Sequence, residues 1–297
     1  PYSTFDLTKD PLYQEADLIH FHFVAKFLDY PSFFKKKKKP IVWTLHDKNP
    51  FSGILHCTTN FPRNAHNIES AFIQKKKEWV KNSNITIVSP SNLYKKSSLK
   101  SPIFEHCNHE VIHHGISDNI FFPINKEEAR KKCNLPIDKK IVISVITETS
   151  RSLKGISEII KIAKKMKDII FILIGENNNK LENVSNIIYT GFIHDKTKLN
   201  EWYNAADVTV SSSEEESFGL SIAESLKTGT PIIMKNTGLY SDIITKKNGL
   251  KISSSMFHTI NKFYEKSFKK KEIIESSKKL NTSLYIDKHL KLYNSIL

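Results

Sequence analysis

The sequence predicts an α/β chain of two doubly wound, parallel-sheet domains, and three observations predict it. The length, 297 residues, exceeds what one hydrophobic core usually organises, so two domains of about 100–200 residues each are expected. Short β-branched runs recur from end to end between helix-length segments, the pattern of parallel strands buried on both faces. Hydrophobic residues make up 39% and aromatics 10%, enough for packed cores, while the 26% charged residues are spread along the chain. That spread excludes a disordered tail protein and a collagen-like repeat.

Residues 18–23, 41–45, 85–88 and 111–112 read in order as the strands of the first domain. Residues 141–146, 170–174, 187–190, 208–211 and 231–234 read as those of the second. Between the two series, residues 115–136 carry Gly115, Pro123, Pro136 and a charged stretch, and form the expected linker. The domains are therefore expected at 1–120 and 121–282, with ligands at the carboxyl ends of the strands. Residues 283–297 space Leu284, Ile286, His289, Leu290, Tyr293 and Leu297 at helical intervals. They predict an amphipathic terminal helix that packs back on the first domain. The chain starts at Pro1, and its first clear strand already follows a loop or helix-like segment. The first domain is thus expected to lack an opening strand and its helix.

A net charge of +14 invites a nucleic-acid reading. Arg63, Arg130 and Arg151 are the arginines among 45 lysines and arginines. Base edges and phosphates are gripped best by the planar guanidinium fork, so a lysine-rich surface argues against nucleic acid. The run at 35–39, ahead of Pro40, reads as a solvated helix end. What the basic excess supports is weak attraction to anionic lipid or to a substrate phosphate. No apolar run reaches the roughly 18–20 residues of a membrane-spanning helix. Cys57, Cys107 and Cys133 are odd in number and far apart, which predicts neither a disulfide framework nor a zinc site. A reducing, cytoplasmic location follows as an expectation, with peripheral contact at the inner face of the membrane left open.

The most informative stretch runs from Ala206 through Glu216-Ser217-Phe218-Gly219 and Glu224 to Gly229-Thr230-Pro231. A strand ending at Ser211 is followed by a polar loop holding Glu216 and by a helix that opens near Gly219 and closes at Gly229. Free amides at that helix start form an anion site, and Gly219 permits close approach of a ligand. Glu216 lies just before the helix and Glu224 eight residues on, so both carboxylates can accept hydroxyl hydrogen bonds near a bound phosphate. Two glutamates at this spacing also arise by chance as exposed charges.

Strand, E-x-F-G, E and G-x-P-I-I in this order resemble the E-x7-E signature of the retaining glycosyltransferases of family 4, which have the GT-B fold. Thr44-Leu45-His46-Asp47-Lys48-Asn49-Pro50-Phe51-Ser52-Gly53 resembles the T-L-H-D-x-x-P-F-[ST]-G segment of members that build bacterial polysaccharides. Val88-Ser89-Pro90-Ser91, Val111-Ile112-His113-His114-Gly115-Ile116, Phe122-Pro123 and Lys154-Gly155 are similar to its later first-domain strand, its interdomain link and its phosphate-binding K-G turn. The matching motifs run from about Ala16 to Asp242, most of the chain, and identify the superfamily without identifying the sugar.

The resemblance implies two Rossmann-like domains with a cleft between them, and a sugar moved with retention from a nucleotide-diphosphate donor to a glycan or lipid-linked acceptor. It implies Glu224 as ribose ligand and Glu216 as donor-sugar ligand, with the Phe218, Gly219 and Leu220 backbone holding sugar and diphosphate. Lys154, helped by Arg151, would neutralise the diphosphate; fixed cations and helix-start amides favour the charge that gathers on a departing diphosphate. His46 ends a strand, where it can reach a ligand or satisfy backbone groups, and the matching family position lies beside the transferred sugar. His22 and Asp47 fall on the acceptor side. Phe192 and Ile193, after Gly191, would meet the nucleobase. No D-x-D pair occurs, so no metal and no cofactor beyond the nucleotide-sugar co-substrate is expected. His20 and His22 alternate on a strand and could pair on a metal, but no third ligand stands near them in sequence.

Two departures from the family pattern stand out. The usual arginine position, five before the lysine, holds Thr149, so Arg151 is displaced. After Pro231, where the family shows a G-G pair followed by proline and glutamate, this chain has Gly238-Leu239-Tyr240-Ser241-Asp242. A reshaped loop is expected there. In the family the loop after the opening strand is glycine-rich, and nothing glycine-rich precedes Leu18. The expected outcome is donor binding with little transfer. Two further readings stay open: a nucleotide-sugar epimerase of similar architecture, and a non-catalytic nucleotide-sugar-binding fragment.

Overall fold

The computed structural model describes residues 1–57, 65–146, 149–175 and 182–297, and of residues 149–154 the backbone alone. Two units emerge. The first comprises Pro1–His113 with Tyr285–Leu297, the second His114–Leu284.

The first unit runs α1 (Pro11–Glu15), β1 (Ile19–Phe21), α2 (Tyr30–Lys36), β2 (Ile41–Thr44), α3 (His66–Val80), β3 (Ile85–Ser89), α4 (Asn92–Leu99) and β4 (Asn108–Val111). Its strands pair in parallel in the order β1-β2-β3-β4. The helix starts are written locally. Asp10 and Asp29 accept the amides of Leu12 and Ser32, each with a proline in the following first turn, and Ser91 accepts that of Tyr94. Alternation along β2 decides the two faces. Ile41 and Trp43 join Phe21, Ile85 and Ile87 in one core, while Val42 joins Val88 and Ile112 on the other side. The sequence places the fourth strand at 111–112, whereas it spans Asn108–Val111. At a sheet edge Asn108 and Glu110 stay exposed, so no apolar run marks the strand.

The second unit contains α5 (Lys126–Lys132), β5 (Lys140–Val145), α6 (Thr149–Lys165), β6 (Ile169–Ile174), β7 (Ile187–Gly191), α7 (Lys196–Ala205), β8 (Val208–Ser211), α8 (Leu220–Thr228), β9 (Ile232–Met234), α9 (Tyr240–Ile243), β10 (Gly249–Lys251), α10 (Met256–Tyr264) and α11 (Lys270–Ser277). Its six parallel strands lie in the order β10-β9-β8-β5-β6-β7. The winding direction reverses between β5 and β8, and such a switch point leaves room for a ligand at the carboxyl ends of its two strands. Ile141, Ile143, Ile172 and Ile174 face a core shared with α7 and α8. Val142, Phe171 and Leu173 face the opposite core, shared with α6 and α10. Each of these side chains contributes about 1.5–3 kcal/mol by leaving water, which holds the sheet between two helix layers. β10 escapes the sequence reading because it is a three-residue edge strand opening with Gly249 and closing with Lys251.

The last helix, α12 (Thr282–Ile296), places Tyr285, Leu292, Tyr293 and Ile296 against Val42, Val88 and Ile112 of the first unit. No helix among the described residues is long and apolar enough to cross a membrane.

Candidate active site

In the second unit the loop after β8 and the start of α8 sit beside the switch point. Gly219 caps α8 with φ +95°, a left-handed conformation that glycine adopts without strain, and no side chain caps the helix start. The amides that open such a helix have no partner within it and are available to an anion. Phe218 is 1% exposed and anchors the loop, while Leu220 is exposed. The His114 ring meets the Phe218 ring edge-on at 4.8 Å. Burial pushes the Glu216 carboxyl above its ordinary range; Glu215 adds to the rise and a hydrogen bond from Ser213 opposes it.

Glu224 lies in the second turn of α8 and is 6% exposed. Its two oxygens are held from α7: Lys196 Nζ donates to one at 3.0 Å and the Tyr203 hydroxyl to the other at 2.9 Å. From sequence, Tyr203 on the helix before Asp207 reads as packing, and nothing marks Lys196. The signal available was their spacing of seven on one helix, which puts both on the face turned to α8. Lys196 follows the turn of Gly191, Phe192 and Ile193, where Phe192 is exposed against the His194 ring at 4.6 Å. One lysine therefore ties that turn to Glu224.

Gly155 packs on this loop. A Cβ placed on it would sit 2.3 Å from Ser212 Oγ, so the K-G pair lies against the segment leading to Glu216. The pair falls within α6 (Thr149–Lys165), not in a turn. The stripe Ile156, Ile159, Ile160 and Ala163 buries that helix on the sheet, and the helical register continues upstream of it. The side chains of Arg151 and Lys154 lie outside the described residues.

The loop after β9 closes the other side. Gly238 has φ +49°, and an added Cβ would stand 2.3 Å from the Phe218 carbonyl oxygen and 3.1 Å from Glu216 Cβ. The Leu239 amide donates to that same carbonyl at 2.9 Å. The departure from the family pattern thus builds a direct support for the Glu216 loop. Gly238→Ala is expected to cost about 1–3 kcal/mol in urea unfolding. An unchanged midpoint would show that the contact gives way freely.

In the first unit His22, His46 and Asp47 gather at the ends of β1 and β2. His22 Nδ1 and His46 Nε2 are 3.0 Å apart, so one nitrogen donates and the other accepts. Asp47 pairs with His56 at 2.5 Å and accepts the Asn49 amide at 3.0 Å. Two side chains of α3, seven apart and absent from the sequence reading, shape the following loop. Glu69 accepts the amides of Gly53 and Ile54 at 2.6 and 2.8 Å, and Lys76 donates to the carbonyls of Asn49 and Ser52 at 2.6 and 2.9 Å.

His20 completes a histidine cluster. Its ring contacts Thr44 Oγ1 at 2.8 Å and the Tyr293 hydroxyl at 2.6 Å, and lies 4.2 Å from the His22 ring and 5.4 Å from that of His289. Burial, then the neighbouring His22, His289 and His46, push its pKa down to about 3. Unfolding exposes an imidazole of ordinary pKa, so the unfolded chain binds the proton first as pH falls and stability drops from pH 6.5 towards 3. Allowing for partial exposure, a loss on the order of 3 kcal/mol is expected across that window. Urea titrations at pH 7 and 4.5 should give a shallower loss in His20→Gln than in the native chain; parallel losses would rule the cluster out as the cause. Among the described residues, no three His, Cys, Asp or Glu side chains converge to hold a metal ion.

The family model for glycosyl transferases group 1 matches residues 125–280, the segment holding β5 to α11 and the Glu216–Glu224 site. The chain belongs to the group 1 glycosyltransferases. Among curated relatives, this glycosyltransferase is 29% identical over 140 residues to the O-antigen biosynthesis glycosyltransferase WclY of Escherichia coli, covering 45% of this chain and 39% of that protein. It is 28% identical over 165 residues to Protein CapJ of Staphylococcus aureus, covering 51% of this chain and 37% of that one. The matches thus span less than two-fifths of these relatives. Among solved structures, sucrose-phosphate synthase from Thermosynechococcus elongatus superposes with a TM-score of 0.74 at 18% identity, over 95% of this chain and 74% of that one. A glycosyltransferase from Rickettsia africae gives 0.72 at 18%, over 99% and 84%. Anabaena Alr3699/HepE, solved with UDP and glucose, gives 0.71 at 14%, over 95% and 78%. At such identities the likeness establishes the fold, and the glycosyltransferase has the GT-B fold.

Proposed function

We propose that this glycosyltransferase moves a sugar, with retention and without a metal ion, from a nucleoside diphosphate to a glycan or lipid-linked acceptor in polysaccharide biosynthesis. The observation that carries the reading is the grouping at one switch point of Glu216, the uncapped start of α8 at Gly219, and Glu224. The relatives WclY, named for O-antigen biosynthesis, and HepE, solved with UDP, support it.

In this mechanism Glu224 accepts from the ribose hydroxyls, with Lys196 and Tyr203 fixing the carboxylate in advance so that little ordering remains on binding. The amides of Gly219 and Leu220 face the diphosphate, joined by Lys154 and Arg151 from α6. Negative charge grows on the leaving diphosphate as the glycosidic bond breaks, and these donors stabilise it more than they stabilise the ground state. Glu216 accepts from a hydroxyl of the transferred sugar. Phe192 and Ile193 contact the nucleobase, while His46 reaches the transferred sugar, and His22 and Asp47 serve the acceptor side.

Thermal unfolding with UDP, GDP and ADP tests the reading. One of the three is expected to raise the midpoint, since a ligand of the folded state held at 100 times its Kd adds about 2.7 kcal/mol. NMR of the product should then show the donor's anomeric configuration retained. No shift with any of them, or an inverted product, would overturn the proposal.

A further inference from the structure

The second unit holds a recess of about 320 Å³ at the amino ends of the strands, opposite the carboxyl ends that carry the candidate active site. Its walls include Asp207 and Thr230, which stand before β8 and β9, whereas the catalytic loops follow those strands. Phe263 and Phe268 line it and stack at 5.0 Å with 16° between planes, giving an apolar aromatic wall. Its charge is one-sided. Lys126, Lys266 and Lys270 line it against one carboxylate, Asp207. Asp207 is already paired: it accepts from Lys126 at 2.8 Å, from the buried Arg130 at 3.1 Å and from the Ile141 amide at 2.8 Å.

One cation of this recess meets only neutral oxygens. The Lys270 ammonium reaches neutral oxygens, Ile124 O at 2.8 Å and Asn204 Oδ1 at 3.5 Å. Burial pushes its pKa down and nearby Lys126 pushes it further. Crowded cations beside an aromatic wall are a cost that an anion with a flat apolar body would relieve.

We propose that this recess binds a small aromatic organic phosphate, its anionic group facing Lys126, Lys266 and Lys270 and its ring on Phe263 and Phe268. The recess also touches the frame of the catalytic helix. Gly229 at the end of α8 lines it, and Thr230 donates to the Tyr203 carbonyl at 2.8 Å, while the Tyr203 hydroxyl holds Glu224.

Phenyl phosphate titrated into the full chain by calorimetry is the direct probe, with inorganic phosphate and phenol as controls. Saturable binding at one site is expected, about 5-fold tighter for phenyl phosphate than for either control. Lys266→Gln, an exposed change that leaves folding intact, and Lys270→Gln, which keeps the stem packed on Gly229, should each weaken it about 5-fold. Glu224→Ala should leave it unchanged. Absence of saturable binding, equal affinity for inorganic phosphate, or indifference to both lysine changes would overturn the proposal. Loss of binding in Glu224→Ala would instead assign the probe to the active site and equally overturn it.

Discussion

Glu216→Gln is expected to lower the rate of sugar transfer by about 10²-fold while nucleoside diphosphate binds nearly as before. On the proposed reading the carboxylate accepts from a hydroxyl of the sugar whose bond is breaking, and contacts that tighten in the transition state appear in the rate. Burial holds this carboxyl above its ordinary range, so the charged form is costly and gains most when the substrate supplies a donor. Glu224→Ala is expected to do the reverse, weakening nucleotide binding by about 10-fold or more with a smaller effect on turnover. It also strands the buried Tyr203 hydroxyl, at a cost of about 1–3 kcal/mol in stability. Calorimetry with the diphosphate and initial rates at saturating donor separate the two residues. Equal effects of both variants on both parameters would dismiss the assignment of roles.

Lys76→Ala is expected to destabilise the chain by about 3 kcal/mol. The ammonium is wholly buried, satisfies the carbonyls of Asn49 and Ser52, and lies 5.3 Å from the centre of the Tyr30 ring. Truncation leaves both carbonyls without a donor and opens a cavity. Burial, opposed by Glu69 and Asp47, lowers the Lys76 pKa from 10.5 to about 8. Between these values the unfolded chain holds a proton that the folded chain has released, so native stability rises with pH through that window. Lys76→Met carries no such proton and should lack this rise while losing less stability than the alanine variant. Urea unfolding at pH 8 and 10 reads both effects. If the methionine variant keeps the full rise, the titration belongs to another group.

The near-continuous apolar strands, read against helix-length spacers, were enough for an α/β class, because a strand covered on both faces must be apolar on both. The Glu216–Gly219 loop and Glu224 were legible for a related reason. They lie within one strand-loop-helix unit, where the chain itself sets the spacing. β4 was read at 111–112 rather than at Asn108–Val111, and β10 was missed: an edge strand is covered incompletely and carries polar residues or glycine without penalty. The turn expected at Lys154-Gly155 is helix in the structure, since burial of the Ile156–Ile160 stripe, unmarked by any local stop signal, extends the helix back to Thr149.

What the amino-acid sequence determined by itself was local: the alternation of elements, the caps, and the carboxylate pair placed on one loop and helix. Tertiary structure alone decided who holds those groups. Lys196 and Tyr203 reach Glu224 from a neighbouring helix, Gly238 supports Phe218 from the next loop, and Glu69 with Lys76 shape the segment after His46 from a distant turn of α3. None of these pairings has a fixed separation in sequence. Each arises because a buried polar group must find its partner wherever packing brings one within reach.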